Sequence, residues 1–502
     1  MKIVDQILKE VEKEISLTPQ KIVKKNIGYV KEVKDEVAFI DGLDDSPYGE
    51  MLDFGDGVRG MTIDLLEDRV GAIIFGEYEK VREGDVVKGL GEVFKIPVSK
   101  DYVGRIVNGI AQPIDGKGSI KGKEQAFIDP IAPGVVMRKS VSVPVQTGIK
   151  AIDALIPIGR GQRELIIGDR RTGKTTVAVD TILNQKGEDM ICIYCSIGQR
   201  MSNTASLVEL LKKEGAMDYT VVVSASASDP ASMQFVAPYV ATTIGEYFMN
   251  QGKDVLVIYD DLSKHAWAYR QVSLILRRPS GREAYPGDIF YLHSRLLERS
   301  CRLDEKFGGG SLTALPIVET LEGDVSAYIP TNIISITDGQ IFLETDLFNS
   351  GIRPAINVGI SVSRVGSSAQ TKAIKSVAGK LKNDLAQYRE LAAFAQFESE
   401  LDAETKKFID RGARMTQLLK QGKNQPYDLA SQVVVFWAGG KGYFDQIQAA
   451  DIVQIEKGFL EYMKLSHKKI LNEITKKKII DTELENDLKK AVEAFMATQE
   501  KS

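Results

Sequence analysis

The chain has 502 residues, of which 43% are hydrophobic and 27% charged, and its formal net charge is −4. This balance is typical of a folded chain of about three domains, and it excludes a disordered protein and a polycation built to neutralise nucleic acid. Three cysteines in this length exclude a disulfide scaffold, and no apolar run approaches the roughly 18 residues of a membrane-spanning helix.

Residues 1–24 predict a short amphipathic helix followed by a linker. Apolar residues recur between Ile3 and Ile15 at helical spacing, with charges between them. The first residues lack the apolar core of a secretory signal and the arginine-rich composition of a transit peptide. We therefore expect the chain to stay in the cytosol or to reach a membrane through partners.

Residues 25–95 predict a small β-domain. Ile27, Tyr29 and Val33 lie at odd positions, so within one strand their side chains share a face. Turn signals containing glycine and aspartate recur at short intervals after this strand. Short strands at this spacing are typical of a small barrel or sandwich.

Residues 96–370 alternate between apolar strand patterns and helical stretches, which indicates an α/β domain with a mostly parallel sheet covered by helices on both faces. The predicted strands are 164–167, 190–196, 220–224, 254–259, 312–318 and 332–337. Residues 371–502 are rich in Ala, Leu, Lys, Glu and Gln and lose the strand pattern. They predict an α-helical bundle.

The strongest chemical signal is a glycine-rich loop between the first of these strands and a helix. It matches the pattern G-x-x-x-x-G-K-[ST], and a helical stretch continues from Thr176. The backbone N–H groups of such a loop surround phosphate oxygens at a helix N-terminus. Lys174 can reach the β- and γ-phosphates and Thr175 can ligate Mg²⁺. The residues predicted to bind the nucleotide here are Gly168, Asp169, Arg170, Arg171, Thr172, Gly173, Lys174, Thr175 and Thr176.

A second signal is the pair of carboxylates that follows the apolar run 255–259. Asp260 directly follows the predicted strand, where an anion can hold the Mg²⁺ shell beside the phosphate loop. The alternative interpretation is a strand-to-helix transition in which Asp261 or Ser263 caps the helix. Both interpretations can hold, one residue apart.

Two further residues point to phosphate chemistry. Gln199 follows the strand 190–196, where phosphate-loop hydrolases place a group that orients or activates water. An amide cannot accept a proton as a carboxylate can, so we expect poor turnover. The alternative is that Gln199 is an ordinary surface amide.

Arg364 follows a short strand pattern. Because its planar guanidinium spans two oxygens, it can bind a phosphate of a neighbouring subunit. The alternative for Arg364 is an ordinary salt bridge.

Several long strings resemble the family of α subunits of the F-type ATP synthases, and the resemblance extends over essentially the whole chain. It implies an N-terminal β-barrel, a central RecA-type P-loop nucleotide-binding domain and a C-terminal α-helical bundle. The strings are PIGRGQRE (157–164), YDDLSK (259–264), GREAYPGD (281–288), VSAYIPTN (325–332) and GIRPAINVG (351–359).

The resemblance also implies partners and a location. Such subunits alternate with catalytic β subunits in a hexameric ring around the central-stalk γ subunit, and the N-terminal stripe would contact the peripheral-stalk δ and b subunits. The implied place is the cytoplasmic side of a bacterial plasma membrane, with membrane contact through partner subunits and no nucleic acid as a partner. The implied cofactors are ATP and Mg²⁺, bound without turnover because Gln199 stands where β subunits carry a catalytic glutamate.

The family's site residues transfer to this chain position by position. Arg364 matches an arginine finger that reaches the adjacent β subunit's site and acts in catalysis there. Ser361 lies in the same loop and is predicted to act in catalysis with it. Positions near the adenine match Arg353, Pro354 and Gln421. Among the positions that depart from the family pattern, Arg171 and Lys423 stand where glutamine is usual.

Two alternatives belong to other functional classes. A self-sufficient homohexameric RecA-type motor, such as a Rho-like translocase or a secretion ATPase, would need a catalytic carboxylate near Gln199. For RNA it would also need a basic, aromatic-bearing N-terminal domain, whereas residues 41–56 carry many acids. A nucleotide-gated scaffold without a catalytic contribution is the third interpretation.

Overall fold

The computed structural model describes residues 26–394 and 402–499. They fall into two compact units, one ending at Phe94 and the other beginning at Lys95. The predicted N-terminal helix, with its apolar stripe from Ile3 to Ile15, lies outside the described residues.

The first unit is a closed barrel of antiparallel strands in the order β1-β2-β5-β4-β3-β6. Its interior is filled by small and branched apolar side chains such as Ala38, Ile40 and Ile74, all fully buried. Closure pairs every strand on both sides and leaves no open edge. The strands are β1 (Ile27–Lys34), β2 (Val37–Gly42), β3 (Glu50–Gly55), β4 (Val58–Leu65), β5 (Val70–Phe75) and β6 (Val86–Val93).

The prediction that Ile27, Tyr29 and Val33 share one face of β1 is wrong, because the alternation of the side chains changes within the strand. Ile27 and Tyr29 are exposed, and Val30 points into the barrel instead. The pairing register with β2 shifts between Val30 and Glu32, so that Val33 packs against the core although its position is odd. A β-bulge of this kind changes which residues face inward, and alternation alone cannot reveal it.

The second unit contains an eight-stranded sheet in the order β18-β17-β12-β16-β15-β13-β14-β8. All its pairs are parallel except β17 with β18. Two antiparallel ribbons, β7 with β9 and β10 with β11, accompany it. The strands are β7 (Lys95–Val98), β8 (Ile106–Asn108), β9 (Glu124–Phe127), β10 (Pro144–Val145), β11 (Ile158–Gly159), β12 (Leu165–Gly168), β13 (Met190–Gln199), β14 (Thr220–Ser226), β15 (Asp254–Asp260), β16 (Ser311–Glu319), β17 (Gly339–Leu343) and β18 (Val362–Ser363).

Helices cover both faces of this sheet, as the sequence predicts. One face packs Ile166, Tyr194 and Ile258 into the core cluster that includes α2 and α3. On the other face a Cβ at Gly245 of α4 would lie 3.3 Å from the Ile193 side chain. The helices are α1 (Lys150–Leu155), α2 (Lys174–Leu183), α3 (Met201–Lys213), α4 (Ala231–Met249), α5 (Leu262–Ile275), α6 (Ile289–Leu297), α7 (Tyr328–Ile336) and α8 (Thr345–Asn349).

The predicted strand 332–337 is wrong, because these residues belong to α7 and its C-terminal end. Ile329, Ile333 and Ile336 are buried at helical spacing, and Pro330 falls in the first turn, where a helix tolerates it. The strand of this region is β17, which continues the sheet beyond β12. A short β-branched run fits both structures, and packing decides between them.

The C-terminal part of the described residues is helical, as predicted. Its central helix, α12, is buried from Leu429 to Gly439. Among the described residues, no helix is both long enough and apolar enough to cross a bilayer. The helices are α9 (Lys372–Ala378), α10 (Leu381–Phe394), α11 (Ala403–Leu418), α12 (Leu429–Gly440), α13 (Ile452–Ser466), α14 (Lys468–Lys477) and α15 (Thr482–Gln499).

Candidate functional site

The glycine-rich loop forms the turn between β12 and α2, as the sequence predicts. Gly173 has a φ of +100°, in the left-handed region that favours glycine. A Cβ on Gly168 would lie 2.3 Å from the carbonyl oxygen of Leu343. Thr172 closes the turn by donating its hydroxyl to the carbonyl oxygen of Asp169 at 2.8 Å. The first N–H groups of α2 therefore begin at a fixed loop, an arrangement suited to an anion.

Lys174 lies inside this loop and is 7% exposed. Its Nζ donates to the carbonyl oxygens of Gly168 and Asp169 at 2.8 and 2.6 Å. Burial lowers the pKa of Lys174, and the carboxylates of Glu319 and Asp261 oppose that shift. An ammonium group held in this position is suited to phosphate oxygens that approach the loop.

Asp260 ends β15 beside the loop and accepts hydrogen bonds from three side chains. The hydroxyl of Thr175 donates to its Oδ2 at 3.0 Å, and the amide Nε2 of Gln199 donates to its Oδ1 at 2.9 Å. The hydroxyl of Tyr194 also donates to Oδ2. Three donors fix the orientation of this carboxylate at the carboxyl edge of the sheet.

Asp261 has a different role from Asp260. Its Oδ1 accepts the backbone N–H of Lys264 at 2.8 Å and so caps α5. Burial raises the pKa of Asp261 to about 7, and the neighbouring Glu319 and Asp260 contribute to that rise. The prediction that Asp261 or Ser263 caps this helix is confirmed, and the capping residue is Asp261.

The donor set beside the loop fits Mg²⁺. This ion prefers hard oxygen ligands and usually combines one or two carboxylates with substrate phosphates and water. Thr175 and Asp260 present a hydroxyl and a carboxylate oxygen 3.0 Å apart, next to the phosphate-binding turn. These two residues are therefore suited to hold the ion.

A cavity of about 650 Å³ extends from the loop toward the C-terminal helices. This volume is within the range of roughly 300–1,000 Å³ found for small-molecule sites. Arg171 and Gln199 lie at its loop end. The lining at the other end includes Arg353, Pro354, Gln421 and Lys423, which lie far apart in sequence from the loop.

Gln421 shapes the cavity wall by joining three segments. Its amide Nε2 donates to the carbonyl oxygens of Gly148 and Gln425, both at 2.8 Å. Its Oε1 accepts the backbone N–H of Lys150 at 3.1 Å, and its own N–H donates to the carbonyl oxygen of Arg353 at 2.8 Å. The side-chain amide is thus used within the protein itself.

Two other groups define the same end of the cavity. The guanidinium of Arg353 lies over the ring of Phe348, 4.4 Å from its centroid. Asp180, on α2, accepts the backbone N–H of Asn424 at 2.8 Å. Burial raises the pKa of Asp180 to about 6. The wall at this end includes Phe348, Pro354 and Asp180, and it therefore has both apolar and polar character.

Three of the predicted loop residues do not line the cavity. Gly168 forms the base of the turn. The Asp169 carboxylate accepts the hydroxyls of Thr320 and Thr345 at 2.6 and 3.0 Å, and these bonds help to lower its pKa. Arg170 forms an ion pair with Glu319 at 2.9 Å. The side chains of Asp169 and Arg170 thus support the loop from outside the cavity.

The two residues predicted for catalysis lie on another edge of the sheet. Ser361 is fully buried; its hydroxyl accepts the N–H of Phe342 at 3.0 Å and donates to the carbonyl oxygen of Asn357 at 2.6 Å. Arg364 follows β18 and is exposed. Its backbone N–H donates to the carbonyl oxygen of Asp338 at 2.8 Å. Within the described ranges its guanidinium has no side-chain hydrogen bond or ion pair.

Sequence reasoning missed several residues of this site. Glu319 ends β16 beside β12 and β15, so the rule that identified Asp260, a carboxylate at the end of a parallel strand, could have found it. Tyr194 and Asp180 lie inside apolar patterns and carry no comparable signal. Their contacts with the site appear with the tertiary fold.

Comparison with known proteins agrees with this architecture. Residues 23–91 match the beta-barrel domain of the ATP synthase alpha/beta family, and residues 148–363 match the nucleotide-binding domain of the same family. Residues 370–495 match the C-terminal domain of ATP synthase alpha/beta subunits. The order of the three matches is the order of the barrel, the sheet domain and the helical part.

Two relatives resemble the protein over almost its entire length. It is 56% identical over 494 residues to ATP synthase subunit alpha of Dehalococcoides mccartyi strain 195, covering 98% of this sequence and 97% of that protein. It is 55% identical over 491 residues to ATP synthase subunit alpha of Clostridium kluyveri, with the same coverage. With its barrel, P-loop sheet and helical bundle, the chain belongs to the family of F-type ATP synthase α subunits.

Proposed function

We propose that this chain is a regulatory, non-catalytic nucleotide-binding subunit of an ATP synthase headpiece. It binds ATP with Mg²⁺ at its own site and hydrolyses it negligibly. It supplies Arg364 to the catalytic site of the adjacent β subunit, where ATP synthesis or hydrolysis is coupled to ion translocation.

The cavity supports triphosphate binding along its whole length. The loop from Gly168 to Thr175 receives the phosphates, with the ammonium of Lys174 inside the turn. The adenine lies at the other end, between Arg353, Pro354 and the wall that Gln421 fixes. The positive charges of Arg171 and Lys423 line the same cavity.

The observation that carries the proposal is the amide at the water-activating position. Gln199 ends β13 beside the loop and donates its Nε2 to Asp260 at 2.9 Å. An amide cannot take a proton from an attacking water as a carboxylate can. The site therefore has the parts that bind a nucleotide and lacks a general base at this position.

Thr175 and Asp260 would hold Mg²⁺, which would neutralise negative charge on the phosphate oxygens. The protein's own contribution is orientation. Tyr194 and Gln199 hold the Asp260 carboxylate toward the hydroxyl of Thr175. The same contacts keep both oxygen donors at the mouth of the loop.

The placement of Arg364 supports its role in another subunit's site. Its side chain is exposed, and its backbone is attached to Asp338 at the sheet edge. Guanidinium groups bind phosphate oxygens bidentately and stay charged at all relevant pH values. Ser361, which is buried with its hydroxyl bonded inside the protein, supports the loop that carries Arg364 and acts in catalysis together with it.

The remaining partners follow from the same proposal. The subunit alternates with β subunits around a γ subunit, and its N-terminal residues contact the δ and b subunits. The complex lies on the cytoplasmic side of a bacterial plasma membrane, which this subunit reaches through its partners.

The first test measures binding and turnover of the purified subunit. We expect Mg-ATP to bind and hydrolysis to be negligible. Rapid hydrolysis by a preparation free of β subunit would contradict the proposal.

The second test uses the assembled complex with Arg364→Ala. We expect turnover to fall by roughly 10³–10⁵-fold, the value of an arginine finger, while the isolated subunit still binds nucleotide. Arg59→Ala, which removes a partly exposed arginine of the barrel, is the control and should leave turnover unchanged. Near-normal turnover of the Arg364 variant would refute the finger role.

A further inference from the structure

A buried carboxyl lies next to the short strand that precedes Arg364. Glu164 precedes β12 and is fully buried. A Cβ built on Gly339 would lie 2.5 Å from Glu164 Oε2 and 2.1 Å from the carbonyl oxygen of Val362. Gly339 pairs with Ser363, the residue before Arg364. The carboxyl thus fills the space under the junction of β17 and β18.

One amide connects this carboxyl to the strand. Nε2 of Gln162 donates to Glu164 Oε2 at 2.7 Å and to the hydroxyl of Ser363 at 3.1 Å. Its Oε1 accepts the N–H of Gly159 at 2.8 Å, so both ends of the amide are fixed. Ser363 in turn donates its hydroxyl to the carbonyl oxygen of Pro157 at 2.7 Å.

The second carboxyl oxygen of Glu164 is unusual. Oε1 is buried and has no hydrogen-bond partner in the part of the protein that the structure describes. Burial raises the pKa of Glu164 well above its ordinary value, and the nearby Asp338 contributes to that rise. Gln162, Arg364 and Lys382 oppose the shift without reversing it. Burial and the neighbouring Asp338 thus favour the neutral form of the Glu164 carboxyl relative to the carboxylate.

We propose that Glu164 is a positioning residue for Arg364: with Gln162 it forms a buried support that fixes β18 and so sets where the guanidinium is presented to the neighbouring subunit. This inference rests on the proposed function of Arg364. The hydrogen bond of Glu164 goes to Gln162, and neither of these two residues lines the nucleotide cavity. The effect of Glu164 should therefore appear in the partner's catalysis and be absent from nucleotide binding by this subunit.

The test is a double-mutant cycle in the assembled complex. Glu164→Ala should lower kcat by roughly 10–10²-fold with KM nearly unchanged, because a displacement of about 1 Å at a catalytic group can cost 10²-fold. In the Arg364→Ala background the same change should lower kcat less than about twofold, because the group it positions is gone. Glu164→Gln, which keeps the side-chain shape and an oxygen that can accept the hydrogen bond of Gln162, should keep kcat within a few-fold of the wild type.

The outcomes separate this inference from the proposed function. If Arg364→Ala has no effect, the finger role fails. If Arg364→Ala is severe and Glu164→Ala is harmless, only the positioning role fails. Equal losses from Glu164→Ala in both backgrounds, or a Glu164→Gln variant as impaired as the alanine variant, would also overturn the positioning role.

A matched control guards against a general folding defect. Glu50, in the barrel, is also buried, with one oxygen bonded to the N–H of Gly91 at 2.8 Å and the other without a hydrogen-bond partner among the described residues. Glu50→Ala should leave kcat within about twofold of the wild type. Mg-ATP affinity of the isolated Glu164→Ala subunit should also be unchanged. Gln162→Ala is a second variant of the support and should reproduce the loss of kcat.

Discussion

Lys174 and Arg364 are cations that follow strands of the same eight-stranded sheet, and the protein holds them in opposite ways. Lys174 is 7% exposed and donates to two backbone carbonyl oxygens of its own loop. Arg364 is exposed and is fixed through its backbone N–H. One cation is enclosed by the protein, and the other is presented on its surface.

The difference follows from the cost of removing a charge from water. Burying an ammonium is unfavourable unless acceptors and opposite charges compensate, and the loop carbonyls with Glu319 and Asp261 provide that compensation. An exposed guanidinium keeps its five donors for another acceptor. We infer that Lys174 acts on a ligand of this subunit and Arg364 on a ligand of another subunit.

The sharpest test of the comparison replaces Arg364 by a cation of different shape. In the assembled complex, Arg364→Lys should still lower turnover by roughly 10²-fold or more, because lysine keeps the charge but lacks the planar fork. Steady-state hydrolysis measures the effect. Full activity of this variant would show that charge alone suffices and would weaken the contrast with Lys174.

The reciprocal change removes the enclosed cation. Lys174→Ala should weaken Mg-ATP binding to the isolated subunit by roughly 10–10²-fold, since a charge-assisted hydrogen bond contributes about 1.5–3 kcal/mol. Turnover of the complex should fall less than in the Arg364 variants. Equilibrium binding with a fluorescent nucleotide measures the first effect. Unchanged affinity would place the nucleotide elsewhere.

A smaller effect is expected from the proposed metal ligand beside Lys174. Thr175→Val keeps the side-chain shape but removes the hydroxyl that bonds to Asp260. Nucleotide affinity should fall roughly tenfold in Mg²⁺ and little in a chelator. Loss of affinity that is equal with and without Mg²⁺ would argue against this ligand.

The smallest expected effect is on the pH dependence of folding stability, and it comes from the buried carboxyl of Asp261 in the enclosed site. The folded pKa of Asp261 is about 7, above its unfolded value of 3.8, so the folded state binds more protons between these values. Its contribution to stability is present at low pH and is lost as the pH rises from about 4 through 7. Asp261→Asn does not titrate, so its thermal midpoint should fall less than that of the wild type between pH 5 and pH 8.

This pH effect should amount to roughly 2–4 °C in the thermal midpoint. Calorimetry of the isolated subunit at the two pH values measures it. Asp56→Asn, which removes an exposed carboxylate of the barrel, is the control and should follow the wild type. Parallel pH profiles for the wild type and the Asp261 variant would show that this carboxyl is not the titrating group.

The sequence by itself determined the phosphate loop and the carboxylate at the end of β15. Both signals are local: the loop residues are contiguous, and Asp260 directly follows an apolar run. The buried strands β13, β15 and β16 were also predictable, because strands covered on both faces are apolar along their length. Residue chemistry suggested the proposed roles of Gln199 and Arg364, and the resemblance of long strings to a known family strengthened them.

Tertiary structure decided what joins distant parts of the sequence. It placed residues 332–336 in α7 rather than in a strand, and a bulge reversed the inward face within β1. It also made the cavity wall, in which Gln421 bonds to Gly148 across 273 positions, and the support that connects Gln162 to Ser363 across 201 positions. Such contacts depend on which residues the fold brings together, and local patterns of hydrophobicity carry no record of them.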